Sequence, residues 1–145
     1  MIVNILIGLA VLAALGVGGF FYLGKKSQTG EAPGLVNGAL AACGSAPNCV
    51  VSEGGADEKH SIAPLPLSSW NKIPGAVGDM GGTVTQTGDQ YISATFTSKS
   101  FGFVDDLEFR KAEDGVHVRS ASRVGYSDRG VNRARVEVLR ERLSP

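Results

Sequence analysis

Twenty-two consecutive residues, Ile2 to Leu23, carry no charge, and Asn4 is their one strongly polar side chain. At ~1.5 Å of rise per residue, this run makes a helix about 33 Å long, enough for a hydrocarbon layer of ~30 Å. Phe20, Phe21 and Tyr22 stand at its C-terminal end, where aromatic rings favour the membrane–water boundary, and Lys25 and Lys26 stop the run. The competing reading is a cleaved signal peptide, with ~7–15 apolar residues after a basic start and a small-x-small site behind them. Here the run is longer, no Lys or Arg precedes it, and no Ala-x-Ala site follows closely. A retained single-pass anchor over residues 1–24 is therefore expected, with the lipid bilayer as the partner of residues 2–23.

The rest of the chain leaves room for one domain. Glycine-rich, polar residues 25–37 read as a flexible linker, and residues 38–145 as the globular part. Fourteen basic and fourteen acidic residues balance. No global field steers the protein toward nucleic acid, and no nucleic-acid partner is expected. No run repeats at a fixed period, which argues against a solenoid or propeller.

Two cysteines, Cys43 and Cys49, bracket Gly-Ser-Ala-Pro-Asn. In an oxidising compartment a disulfide is the natural reading. Free thiols are the second, and a metal site the third, because the Cys-x2-Cys spacing of zinc sites is absent. No metal and no cofactor are expected. Leu40-Ala41-Ala42-Cys43 looks like a lipid-attachment box, but about twenty polar and glycine-rich residues separate it from the apolar run. Orientation divides the signals. Lys25 and Lys26 favour a cytoplasmic domain by the positive-inside rule, whereas a disulfide favours the other side. The residues alone leave both sides, periplasmic and cytoplasmic, open.

Leu35 to Pro66 shows no sustained period and reads as irregular structure. Ser68 or Ser69 suits the cap of a short helix running to about Val77, made insecure by Pro74 and Gly75. Period two follows. Thr83–Thr87 and Tyr91–Thr97 read as strands, the second with Ile92, Ala94 and Phe96 on one face. Phe103–Arg110 sorts Phe103, Asp105, Leu107 and Phe109 to one side, and Val104, Asp106, Glu108 and Arg110 to the other. Val116–Val124 places Val116, Val118, Ser120 and Ser122 together, with His117, Arg119 and Arg123 opposite. Asp114-Gly115 between them suits a type I′ turn, which pairs Phe109 with Ser120 and sets Asp106 opposite Arg123. A C-terminal helix, capped by Ser127 or Asp128, shows an apolar face of Val131, Ala134, Val136, Val138, Leu139 and Leu143. The fold class is α+β: an antiparallel meander packed against the C-terminal helix, preceded by the transmembrane helix.

The alternation concentrates charge. Asp106 and Glu108 share a face with Arg119 and Arg123 on the next strand, which reads as a solvated, salt-bridged surface or, more sharply, as an anion- or carboxylate-binding one. Asp105 falls on the apolar face, as do Asn132 and Arg135 of the helix. A lone buried charge costs several kcal/mol, so Asp105 should meet Arg135 or the backbone of Ser120–Asp128. With Asp128 and Arg133, these residues form the candidate ligand-binding set, and none is assigned a catalytic role. His60 and His117 are isolated in the sequence, and His117 reads as a surface residue. No Gly-x-Ser-x-Gly, phosphate loop or His-Glu-x-x-His is present.

Pro47-Asn48-Cys49-Val50-Val51-Ser52, His60-Ser61-Ile62-Ala63-Pro64-Leu65 and Phe101 through Phe109 form a distinctive series. Val118-Arg119-Ser120-Ala121-Ser122-Arg123-Val124-Gly125-Tyr126-Ser127-Asp128 and Gly130 through Val136 complete it. Over about residues 38–143 the chain resembles the domain-of-unknown-function 1499 family. Val51 departs from it, since the family more often has serine there. The resemblance implies a bacterial or chloroplast-type protein, often exported or membrane-associated, and supplies no activity; that association with export tips the expected orientation to the periplasmic side, with the cytoplasmic one as the alternative. The leading expectation is a membrane-tethered, non-enzymatic binding or assembly module of the cell envelope with an envelope protein partner. The alternative is a small-ligand binder or enzyme using Asp105, Asp106, Glu108 and the arginines. A third is a purely structural envelope protein.

Overall fold

The computed structural model describes residues 2–144. The apolar run extends into one helix, α1 (Ile2–Gln28), of 27 residues. It is the one helix among the described residues long and apolar enough to cross a membrane, and its apolar window is wholly exposed. Length and composition of this kind also suit a signal sequence.

Behind α1 the chain forms β1 (Leu35–Val36), β2 (Ala39–Leu40) and β3 (Cys49–Val51). A 3-10 turn at Leu67–Lys72 leads into α2 (Ile73–Asp79). Then come β4 (Thr83–Thr87), β5 (Tyr91–Thr97), β6 (Val104–Ala112), β7 (Gly115–Ser122) and α3 (Val131–Leu143). The fold is α+β. Five strands form one antiparallel sheet in the order β3-β7-β6-β5-β4, and β1 and β2 form a separate hairpin.

One sheet face carries the apolar core. Ile92, Ala94, Leu107, Phe109, Val116 and Val118 meet Val136, Leu139 and Leu143 of α3 and Ile73 and Val77 of α2. Burying each such side chain contributes roughly 1.5–3 kcal/mol. No residue of α1 belongs to this core.

The structure corrects several expectations. Leu35–Pro66 is not wholly irregular, because Cys49–Val51 supplies the edge strand beside β7. The short helix has no side-chain cap, and Pro74 does not disturb it, because it lies in the first turn, where its missing N–H has no partner to lose. The β6–β7 turn is Glu113-Asp114, not Asp114-Gly115: Ala112 pairs with Gly115, and Phe109 with Val118 rather than Ser120. This register differs by two residues, so every side chain keeps its face. Gly115 serves both the turn and a close approach: its φ of +149° closes the hairpin in a conformation that L side chains rarely adopt. A Cβ there would lie 2.9 Å from the Leu65 carbonyl oxygen, where Leu65 and Val116 exchange main-chain hydrogen bonds. In α3, Val131 and Val138 are 49% and 41% exposed. The buried stripe is Asn132, Val136, Leu139 and Leu143, spaced four, three and four. The helix starts at Val131, and Asp128 serves its first turn by accepting the Asn132 N–H at 2.8 Å.

The sheet's second face is covered, not solvated. The segment expected to be a loose tether lies over it. Glycine 34 and Leu40 turn their N–H groups onto Glu108 and Glu53, at 2.9 and 2.8 Å. A Cys43–Cys49 disulfide ties the chain after β2 to the start of β3. The bridge thus fastens the cover to the sheet edge.

Candidate functional site

The charged residues separate into two constellations, one on each face. On the covered face, Asp106 and Glu108 lie two residues apart on β6, Arg119 lies on β7, and Arg123 follows just beyond its end. Glu108 pairs in register with Arg119, and Arg119 Nη1 donates to Glu108 Oε2 at 2.8 Å. Tyr91 of β5 donates its phenol proton to Glu108 Oε1 at 2.7 Å. Arg123 grips Asp106 with two bonds, from Nε at 2.8 Å and Nη2 at 2.7 Å, and gives Nη1 to the Ser27 carbonyl of α1. At the far end, Arg110 donates to Glu53, and His117 lies between Glu53 and Asp114.

Burial decides what this array is. Asp106 is 3% exposed and Glu108 not at all. A surface ion pair contributes ~0–1 kcal/mol, but a buried pair stripped of one partner loses several. The expected solvated face is therefore a second, ionic layer of the core. Its pKa directions agree. Burial and the bond to Glu108 push the Tyr91 phenol well above its ordinary range. The Asp106 carboxylate holds the Arg123 guanidinium proton more tightly than usual, against its desolvation. Arg119 Nε is the one buried side-chain polar atom among the described residues without a partner.

Glu53 gives this layer a pH dependence. Burial alone raises its carboxyl, but bonds from Arg110 and the Leu40 N–H, with the charges of His117 and Arg110, bring it below its ordinary 4.5. A depressed carboxylate contributes stability that is present above its ordinary pKa and disappears as pH falls through the folded value. Glu53→Gln should thus cost most at neutral pH. Urea titrations at pH ~7 and ~3 should show the gap to wild type closing in acid. A gap that stayed constant would mean that Glu53 is uncharged or unpaired in the fold.

On the core face, Asp105 meets Arg135 at 2.6 Å. The guanidinium stacks 4.5 Å above the Phe96 ring and donates to Asn132 and Ser120. Asn132, fully buried, is satisfied on every side. Its oxygen accepts from Ser120, and its amide reaches Asp128, Ser122 and the Asn48 carbonyl. This network locks α3, β7 and the approach to β3 together. Arg133 takes no part and donates to the Lys59 carbonyl instead.

A family model described as a protein of unknown function (DUF1499) matches residues 39–143. The chain belongs to the DUF1499 family. No curated protein and no solved structure matches it. In this DUF1499 domain, β3 through α3, with both charged networks, fall inside the matched span.

The sequence reading missed the histidines. His117 is buried, with Nδ1 3.2 Å from the Ser52 hydroxyl and Nε2 3.1 Å from Asp114. Serine, histidine and acid in one line resemble a nucleophile chain. Here the Ser52 oxygen already accepts the Val118 N–H at 2.8 Å, which extends the β3–β7 pairing. Residues Val51 and Glu53 line the adjacent cleft of about 450 Å³, and Ser52 does not. His60 is likewise buried, between Asp57 and the Ala46 carbonyl. Linear order offers only the Asp57–His60 and Asp114–His117 spacings of three, and nothing for Ser52 and His117, which lie 65 residues apart.

One polar cleft, about 320 Å³, borders the ionic layer between Glu31 and Gly34 of the cover and Tyr91, Ser93 and Arg123 of the sheet. Asp106, Glu108 and Arg119 do not line it. Among the described residues no group of three or more His, Cys, Asp or Glu is placed to hold a metal ion.

Proposed function

We propose that this DUF1499 protein is a membrane-anchored, non-enzymatic binding or assembly module of the cell envelope, its domain seated against the bilayer and not swinging on a tether. Ser27, in the last turn of α1, carries this reading. It is fully buried, its hydroxyl accepts the Val104 N–H at 3.0 Å, and its carbonyl accepts Arg123 at 3.1 Å. Cleavage beyond Ser27 would leave the Val104 N–H and an Arg123 donor unpaired, and cleavage before it would leave Ser27 on a chain end without the helix that now holds it in place. The contacts of Ser27 thus support a helix that stays with the domain.

The Cys43–Cys49 bridge supports the oxidising, periplasmic side, against the weaker pull of Lys25 and Lys26. The non-enzymatic reading rests on how the acids are used. Asp105, Asp106, Glu108 and Glu53 each hold an arginine, so none is a free acid or base. The alternative, a ligand site or enzyme on that cluster, requires those pairs to open.

The test is to isolate the full chain from cell membranes and determine its mass before and after thiol alkylation, with protease shaving of spheroplasts alongside. The expected result is an intact N-terminal segment, no alkylation without reductant, and a domain digested from outside. A mature chain lacking residues before about Gly24 and found in the soluble fraction would overturn the proposal.

A further inference from the structure

Where α1 meets the domain, the surface is apolar and concave. Phe20 and Leu23 of the helix face Phe103, Val104, Val124 and Tyr126 across a cleft of about 350 Å³. That volume lies within the roughly 300–1,000 Å³ of small-molecule sites. We infer that this cleft takes the acyl chain of a bilayer phospholipid. The inference rests on the reading of α1 as a retained membrane helix.

Continuity with the helix surface names the occupant. Two lining residues of the cleft, Phe20 and Leu23, belong to the final turns of the 22-residue apolar run, whose remaining surface is exposed and apolar. In a bilayer that surface is covered by acyl chains, and the cleft continues it without a polar break. Its height is also set. The end of the run lies at the interfacial layer, the depth favoured by aromatic rings. Phe20 and Phe21 of the helix join Phe101 and Phe103 of the domain there, with ring centroids 5.2 to 6.4 Å apart. The domain thereby adds its own rings to the helix's aromatic belt. Tyr126, 74% exposed, extends it on the other rim.

The polar atoms at the cleft exclude a hydrophilic ligand. Its side-chain hydroxyls apart from that of Tyr126 are those of Ser122 and Ser127. Ser122 already accepts from Asn132, and Ser127 accepts the Arg129 N–H. No charged side chain lines it. A water-soluble ligand would give up its hydration for little in return, whereas an acyl chain gives up none. Lys25 and Lys26, exposed on the last turn of α1, stand where a phospholipid's phosphate would lie.

The test uses the full chain in vesicles of phosphatidylethanolamine and phosphatidylglycerol, doped with a phospholipid carrying a diazirine on its acyl chain. After illumination, labelled peptides are mapped. Label is expected on α1 and also on residues 103–104 and 122–127. Val124→Trp, which fills the cleft, should lower the domain label about tenfold and leave the α1 label unchanged. Should that variant not fold, Tyr126→Asp at an exposed rim position should produce the same selective loss. Label on α1 with none on 122–127 above that on the distant Gly54–Asp57 loop overturns the cleft and spares the anchor. An unlabelled α1 overturns both.

Discussion

Glu108→Ala should destabilise the domain by about 3–5 kcal/mol, the cost of leaving one member of a buried ion pair behind. Three groups lose their acceptor together. Arg119 keeps a charge that is 12% exposed and has no counterion. The Tyr91 phenol and the Gly34 N–H lose the same Oε1. A urea titration of the full chain in detergent, followed by far-ultraviolet circular dichroism, reads the loss as a lower midpoint. Glu108→Leu combined with Arg119→Leu should recover part of it, because apolar pairs often replace buried ionic ones without loss. Recovery should stay incomplete by about 1 kcal/mol for each donor left unpaired, Tyr91 and Gly34. A single variant with an unchanged midpoint would show that Glu108 does not hold the fold, and would return the carboxylate to the pool of ligand-binding groups.

That outcome bears on how the cluster is understood. Alternation along β6 and β7 was enough to put Asp106, Glu108, Arg119 and Arg123 on one face and Asp105 on the other, since side chains in a strand strictly alternate. It also turned Asp105 inward, toward Arg135 or the backbone of Ser120–Asp128, and the fold selects Arg135. What alternation could not show is whether the second face is wet. That depends on residues 29–42, which read as a tether up to residue 37 and as irregular structure beyond it. Their contribution is made by main-chain N–H groups, at Gly34 and Leu40, and a backbone donor leaves no mark in the sequence. The edge strand was hidden for a related reason. Cys49–Val51 is too short to display a period, and its place beside β7 is fixed by a partner some 70 residues away. Gly115 was half legible: glycine after aspartate signals the positive φ found there, but not that the same residue admits the Leu65 backbone, a tertiary contact that local chemistry does not foretell.

The largest effect on membrane geometry should come from Gly24. A Cβ on this residue would lie 1.8 Å from the Phe101 carbonyl oxygen, far inside contact distance, and the obstacle is backbone that cannot rotate away. Gly24→Leu must therefore part the helix from the loop before β6. The separation breaks the Ser27 bonds to Val104 and Arg123 and the Gln28 bond to the Gly102 carbonyl. The apolar core contains no residue of α1, so the sheet and α3 should remain folded. Overpacking of this kind costs ~1–3 kcal/mol or more, and each 1.4 kcal/mol is a factor of ten. Cleavage after Glu31 by a glutamate-specific protease, in vesicles, should accelerate by at least about tenfold as the cover lifts at its helix end. Gly19→Leu provides the control, because nothing lies within 4 Å of a Cβ there and the same bulk is added to the same helix. Its cleavage rate should match wild type. Equal rates for Gly24→Leu and Gly19→Leu would mean that the domain does not touch the helix in the membrane. The bonds of Ser27 would then lose their part in holding it, and the seat against the bilayer would revert to a loose tether.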